Sequence, residues 1–201
     1  MIYKSLTELA GRVSLILGSS SPRRLELLTE MGVAFRQICP EVDEQQLEGE
    51  PAFDFALRLA ESKALSISTT LGRGDIVIGC DTIVVLGDKV LGKPLNPDHA
   101  LETLSKLSGR QHQVCSAVAF SRGERVLASG YDVTTVRFNE VSSARLRQYI
   151  ATGEPLDKAG AYGIQGMGAF LVDTIEGNLD TVIGLPRRLL DRFAAQVLTE
   201  L

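Results

Sequence analysis

Val13-Ser14-Leu15-Ile16-Leu17 is an apolar run of strand length, Gly18-Ser19-Ser20-Ser21-Pro22 is a turn of small residues, and Leu25-Glu26-Leu27-Leu28 follows at helical spacing. Strand, turn and helix in that succession form the unit from which α/β folds are built, and they constrain the rest of the chain. Backbone N–H groups at the start of such a helix have no partner within it, and their partial positive charge favours an anion. Ser19, Ser20 and Ser21 add hydroxyls, Pro22 suits the first helical position, and Arg23 and Arg24 bring two guanidinium groups into the first turn. Cations at that end oppose the helix macrodipole, so a negative partner is expected, phosphate being the natural one. The plainer alternative is that Ser21 caps the helix, Pro22 starts it and the arginines are solvated.

Hydrophobic residues make up 44% and charged residues 23% of the 201, which excludes disordered and fibrous classes and leaves one domain or two small lobes. A net charge of −4 gives no general attraction to a nucleic acid polymer or an anionic membrane, so an anion site must be a local concentration of cations. Cys39, Cys80 and Cys115 form no CxxC or metal-type spacing, which fits a reducing cytoplasm. Residues 1–12 include Lys4, Glu8 and Arg12 and no long apolar core, so they read as a short N-terminal extension, a helix lying on the surface, and not as a signal peptide. No stretch approaches the ~20 apolar residues of a membrane span. A single domain over 1–201 is expected.

Along the chain, 33–39 reads as a second strand running into Pro40, followed by acidic Glu41-Val42-Asp43-Glu44, and 51–68 reads as a helix carrying Arg58 and Lys63. Gly72-Arg73-Gly74-Asp75 turns the chain into Ile76-Val77-Ile78-Gly79-Cys80, the most apolar run and hence a buried strand, which continues as Ile83-Val84-Val85-Leu86. Asp81, between the two halves, cannot be an indifferent surface residue: a buried carboxylate needs a cation, a metal or a proton. An internal salt bridge or a capping contact is the alternative to a functional role. Gly87-Asp88 makes a hairpin toward Gly92-Lys93-Pro94, a helix follows from Asn96 or Pro97 to Leu107, and two strands pair through Arg122-Gly123-Glu124. His112 is read as a packing or orienting residue. Ser142 or Ser143 opens a helix to Ile150. Asp157 to Gly168 then holds four glycines in twelve residues, so it either turns tightly or lets a ligand approach its backbone. Strands are expected at 169–172 and 181–184, and a helix at 187–200.

Ser19-Ser20-Ser21-Pro22-Arg23-Arg24, Asp81-Thr82, Gly92-Lys93-Pro94 and Asp157 to Gly166, in this order, resemble the Maf family of nucleoside triphosphate pyrophosphatases. The likeness runs from Leu15 to about Pro186 and takes in Glu44, Arg58 to Lys63 and Ser108-Gly109-Arg110-Gln111-His112. It implies an elongated, two-lobed α/β fold of the Maf/ITPase kind, with a twisted mixed sheet, helices on its faces and a central cleft, often as a homodimer. It also implies hydrolysis of a nucleoside triphosphate to the monophosphate and pyrophosphate with a divalent cation, Mg²⁺ or Mn²⁺. In that reading Asp81 is the catalytic proton acceptor or metal-linked base and, with Glu44, a metal ligand. Ser19, Arg24, Lys63 and Lys93 bind phosphate, and Arg23, Thr82 and Gln165 choose the base. The Arg23-Arg24 pair after Pro22, with Tyr162-Gly163-Ile164-Gln165-Gly166, looks like the branch acting on dTTP and UTP, with modified pyrimidine nucleotides left open. Gly18, Cys80 and Asn178-Leu179 depart from the common pattern. A nucleotide sensor with the same phosphate cradle and a phosphatase releasing orthophosphate are the rival classes.

Overall fold

The computed structural model describes residues 3–72 and 74–201. In chain order it runs α1 (Lys4–Arg12), β1 (Ser14–Gly18), α2 (Pro22–Glu30), β2 (Arg36–Ile38), α3 (Ala52–Ser68), β3 (Asp75–Leu86), β4 (Lys89–Leu91), α4 (Pro97–Leu107), β5 (Gln111–Arg122), β6 (Arg125–Phe138), α5 (Ser143–Ile150), three 3-10 turns (Glu154–Asp157, Ala159–Ala161, Met167–Leu171), β7 (Val172–Glu176), α6 (Leu179–Ile183) and α7 (Arg187–Leu198). The strands form one mixed sheet in the order β2-β1-β3-β5-β6-β7, with β4 paired to β3. The α/β class expected from the sequence is thus observed.

The chain divides into two compact units, the described residues of the first lying within Met1–Asp81, Ser116–Asp132 and Gly184–Leu201, and those of the second within Thr82–Cys115 and Val133–Ile183. In the first unit β1 is parallel to both β2 and β3, with Ile16 opposite Arg36 and Gly18 opposite Gly79. Its strands carry the apolar core: Leu15, Ile16, Leu17, Ile76, Val77 and Ile78 are all buried. The extension expected at 1–12 contains α1, which packs on α7, with Leu6 and Leu9 fully buried and the Leu6 N–H donating to Asp191 Oδ1 at 2.8 Å.

In the second unit β4 returns antiparallel to β3, Val85 facing Val90, and β7 is antiparallel to β6. Its core joins Leu104, Leu107, Phe138, Tyr149, Tyr162 and Leu171. Asn96 caps α4 by accepting the His99 N–H at 2.8 Å, and Ser142 caps α5 by accepting from Arg145 N–H.

Three expectations change. The strand expected over 33–39 pairs only at Arg36–Ile38, opposite Ile16–Gly18 of β1. Residues 167–171 form a 3-10 turn, not a strand, and only from Val172 does the backbone join β6. Residues 181–183 belong to α6 and not to a strand: Asn178 exchanges two hydrogen bonds with Thr134 Oγ1, and its carbonyl receives the Thr181 N–H at 3.1 Å, which winds the chain. A short apolar run carries no period long enough to separate helix from strand. The turn expected at Gly72-Arg73-Gly74-Asp75 includes Arg73, which lies outside the described residues; the Asp75 N–H donates to the Gly72 carbonyl at 3.1 Å.

Candidate active site

Gly79 places the central charge. Helix α3 buries Phe55, Leu59, Ala60, Lys63, Ala64 and Ile67 along one stripe, and it lies so close on β3 that a Cβ at Gly79 would stand 2.6 Å from Ala64 N and would overlap the Ala60 carbonyl oxygen. Side chains alternate across a strand, so Asp81, two residues on, emerges on the same face as Gly79 and beneath the same helix. There Lys63 Nζ donates to Asp81 Oδ1 at 2.6 Å and lies 2.6 Å from Glu44 Oε1. Lys63 and Asp81 are each only 7% exposed, so the ion pair is buried and charge-assisted. Of the cation, metal or proton that the sequence left open for Asp81, the structure supplies a cation, this lysine.

Glu44 comes from the segment between β2 and α3, which is tied to α3 by Arg58. That guanidinium donates to both Glu50 carboxylate oxygens, at 2.5 and 2.8 Å, and to the Gln45 carbonyl at 3.0 Å. The Arg58 hydrogen bonds hold the Glu50 carboxyl below its ordinary range. Sequence reasoning missed Glu50 and Gly79. A lone glycine inside an apolar strand was the available signal for the second; nothing local marked the first.

At the start of α2, Arg24 is 9% exposed and donates from Nε to the Gly184 carbonyl at 2.9 Å, and from Nη1 to the Cys80 carbonyl at 2.8 Å and Ser19 Oγ at 3.3 Å. Ser19 Oγ also accepts the Ser21 N–H at 3.2 Å, and Gln37 Nε2 holds the Ser19 carbonyl at 2.7 Å. Ser21 occupies the N-cap position without a side-chain cap bond. The guanidinium that opposes the helix dipole therefore meets oxygen atoms of the protein, which stitch the turn after β1 to the residue before Asp81. Burial pushes the Cys80 thiol up to about 11 against the nearby charges of Arg24 and Lys63, so it stays protonated at neutral pH. Arg23 is half-buried. The structure thus brings together Ser19, Arg24, Lys63, Asp81 and Glu44 within the first unit.

Thr82, Lys93 and Gln165 belong to the second unit. Thr82 follows Asp81 along β3 and is half-buried, Lys93 is exposed beside the buried Pro94, and Gln165 is exposed in the glycine-rich loop. The Gly160 N–H donates to the Gly92 carbonyl at 3.1 Å, joining that loop to the segment before Lys93. His112 Nε2 lies 2.9 Å from Tyr162 Oη, and the imidazole stacks edge-on with Phe138 and Tyr162. Its Nδ1 has no hydrogen-bond partner among the described residues, and burial pushes its pKa down to about 4. A neutral imidazole among aromatic rings suits the packing role read from the sequence.

Among the described residues no group of three or more His, Cys, Asp and Glu side chains could by itself hold a metal ion, and no helix is long and apolar enough to cross a membrane. All three cysteines are free thiols.

Fold and site together define an α/β protein whose central strand carries a buried aspartate answered by a helix lysine. The chain belongs to the Maf-like protein family, whose model matches residues 14–197. It is 43% identical over 188 residues to a dTTP/UTP pyrophosphatase of Photorhabdus laumondii, covering 92% of this chain and 96% of that protein. It is 47% identical over 172 residues to a dTTP/UTP pyrophosphatase of Symbiobacterium thermophilum, covering 86% and 88%. A HAM1 protein structure from Coxiella burnetii aligns over 94% of this chain and all of its own, at 14% identity and a TM-score of 0.45.

Proposed function

We propose that this protein hydrolyses dTTP and UTP to the monophosphate and pyrophosphate in the cytoplasm, a house-cleaning reaction on free nucleotides. Relatives named for that activity share 43% and 47% of their aligned residues with it. The single observation that carries the chemistry is the Glu44–Lys63–Asp81 cluster, two carboxylates converging on one ammonium at 2.6 Å each.

Splitting the α–β anhydride with water requires charge neutralisation, positioning and an activated water, with little covalent work for the protein. Asp81 is the group that accepts the proton of the attacking water, and Lys63 holds its carboxylate in place. Ser19, Arg24, Lys63 and Lys93 supply hydroxyl and cationic donors for the triphosphate, offsetting charge that develops on leaving pyrophosphate. Arg24 also holds the Ser19 hydroxyl and the Cys80 carbonyl, so it shapes the site as well as charging it. Arg23, Thr82 and Gln165 select the base. A Gln side chain presents a carbonyl and an NH₂ together, matching the N3–H and carbonyl edge of thymine or uracil and mismatching the amino group of cytosine.

A divalent cation, Mg²⁺ or Mn²⁺, fits the residues present. Asp81 and Glu44 are hard oxygen donors whose oxygens already converge on one cation, the lysine ammonium, and two carboxylates with phosphate oxygens and water are a common Mg²⁺ set. When bound, such an ion would neutralise phosphate charge and acidify a water. A homodimer remains part of this proposal.

A panel of nucleoside triphosphates assayed for pyrophosphate tests the reading, with phosphorus NMR of the products. The expected result is pyrophosphate from dTTP and UTP at rates about 10- to 100-fold above CTP, ATP and GTP. Orthophosphate as the first product would identify a phosphatase, and binding without turnover would identify a sensor.

A further inference from the structure

The glycine-rich loop is shaped by two side chains of its own unit. Tyr149, on the last turn of α5, places its hydroxyl where it accepts the Gly163 N–H at 3.0 Å and donates to Glu154 Oε1 at 2.9 Å. Glu154, in the 3-10 turn after α5, accepts the Met167 N–H at 2.8 Å on Oε2 and the Gly168 N–H at 3.2 Å on Oε1. Both ends of the Gly163–Gly168 loop are therefore pinned, and Gln165 stands exposed between the pins.

The glycines follow from this arrangement. A Cβ at Gly166 would lie 2.5 Å from Glu154 Oε2, and one at Gly168 would lie 2.5 Å from the Tyr149 hydroxyl. At Gly166 and Gly168 the close backbone approach that the glycines promised is thus made by an internal carboxylate and phenol. Burial alone would raise the Glu154 carboxyl, but the Met167 N–H, the Tyr149 hydroxyl, the Gly168 N–H and Lys158 together hold it below its ordinary range. It is charged, and so an acceptor on both oxygens, at neutral pH.

We infer that Glu154, with Tyr149, is a positioning residue for base selection: it holds the loop so that Gln165 meets the base edge, without touching substrate itself. The inference rests on the assignment of Gln165 to the base made above. An exposed side chain on an unpinned six-residue loop would lose orientation entropy on every binding event, and discrimination between carbonyl and amino edges depends on that orientation.

The test measures kcat/KM on dTTP and on CTP for wild type, Gln165→Ala, Glu154→Gln, Tyr149→Phe and the double variant Glu154→Gln/Gln165→Ala, with amide exchange of residues 163–168 followed in parallel. Glutamine cannot accept on both side-chain atoms, and phenylalanine keeps the ring while removing the hydroxyl. Expected is a fall of about 10-fold in the dTTP-to-CTP ratio for each single variant. The double variant should fall no further than Gln165→Ala, with faster loop exchange in Glu154→Gln and Tyr149→Phe. If Glu154→Gln does not fold, Tyr149→Phe carries the same comparison. A wild-type ratio in folded Glu154→Gln and Tyr149→Phe, with the ratio lost in Gln165→Ala, overturns the positioning role and leaves the base assignment standing. Equal losses on both nucleotides overturn it in favour of a purely structural role. A wild-type ratio in Gln165→Ala removes the base assignment and the inference with it.

Discussion

Asp81→Asn keeps the outline of the side chain that Lys63 Nζ meets at 2.6 Å and removes its charge. Turnover should fall by about 10²-fold or more, roughly 3 kcal/mol of barrier, in a protein that still folds, since the amide oxygen can accept from Lys63. Pyrophosphate release by the purified variant at matched circular dichroism checks this, and wild-type turnover would remove Asp81 from the chemistry. His112 makes a prediction of a different kind. Its folded pKa, about 4, is depressed below an ordinary unfolded value near 6.5, so the unfolded chain binds the extra proton between those values. Its contribution is fully present above about pH 6.5 and is lost as pH falls toward 4, up to ~3 kcal/mol by linkage. Melting temperatures of wild type and His112→Gln from pH 4 to 7.5 should converge at the acid end. A constant difference across that range would show that protonation of this imidazole does not weaken the fold.

At the scale of elements, the seating of α3 on β3 is what turns a lysine 18 residues before Asp81 into its partner, and it depends on the missing side chain at Gly79. Gly79→Ala must push helix from strand against backbone atoms. Overpacking of this kind costs about 1–3 kcal/mol, and here it also separates Lys63 from Asp81. The denaturation midpoint should drop and kcat should fall with it, whereas an unchanged kcat would show that the pair does not depend on this contact. The long elements were legible: α3, α4, α5 and α7 follow from periodicity and end signals at Asn96, Ser142 and Pro97. The 3-10 turn at Met167–Leu171 and helix α6 were not, because their conformations are imposed by Glu154, Tyr149 and Thr134, residues that arrive from elsewhere in the chain.

On the scale of the whole molecule, α1 closes the first unit by burying Leu6 and Leu9 against α7. Full burial of a leucine is worth about 2 kcal/mol, so removing residues 1–12 should lower the melting temperature by roughly 5–15 °C while nucleotide preference is kept. A melting temperature equal to that of the intact chain would mean that α1 adds nothing to stability. The sequence alone determined the α/β class, the strand–turn–helix at Ser19 to Arg24, the buried carboxylate at Asp81 and the family, because these rest on local period, composition and ordered motifs. It also showed that Asp81 needed a cation, a metal or a proton, since burying a charge is costly in any fold. Only the tertiary structure decided which: Lys63 is chosen by the packing of α3 at Gly79, Glu44 by the tie between Arg58 and Glu50, and the Cys80 carbonyl as an acceptor of Arg24 by the pairing of β1 with β3. Lys63 and Asp81 are 18 residues apart and Arg24 and Cys80 are 56 apart, and nothing in a local pattern can say which distant residue a fold will bring within hydrogen-bond distance.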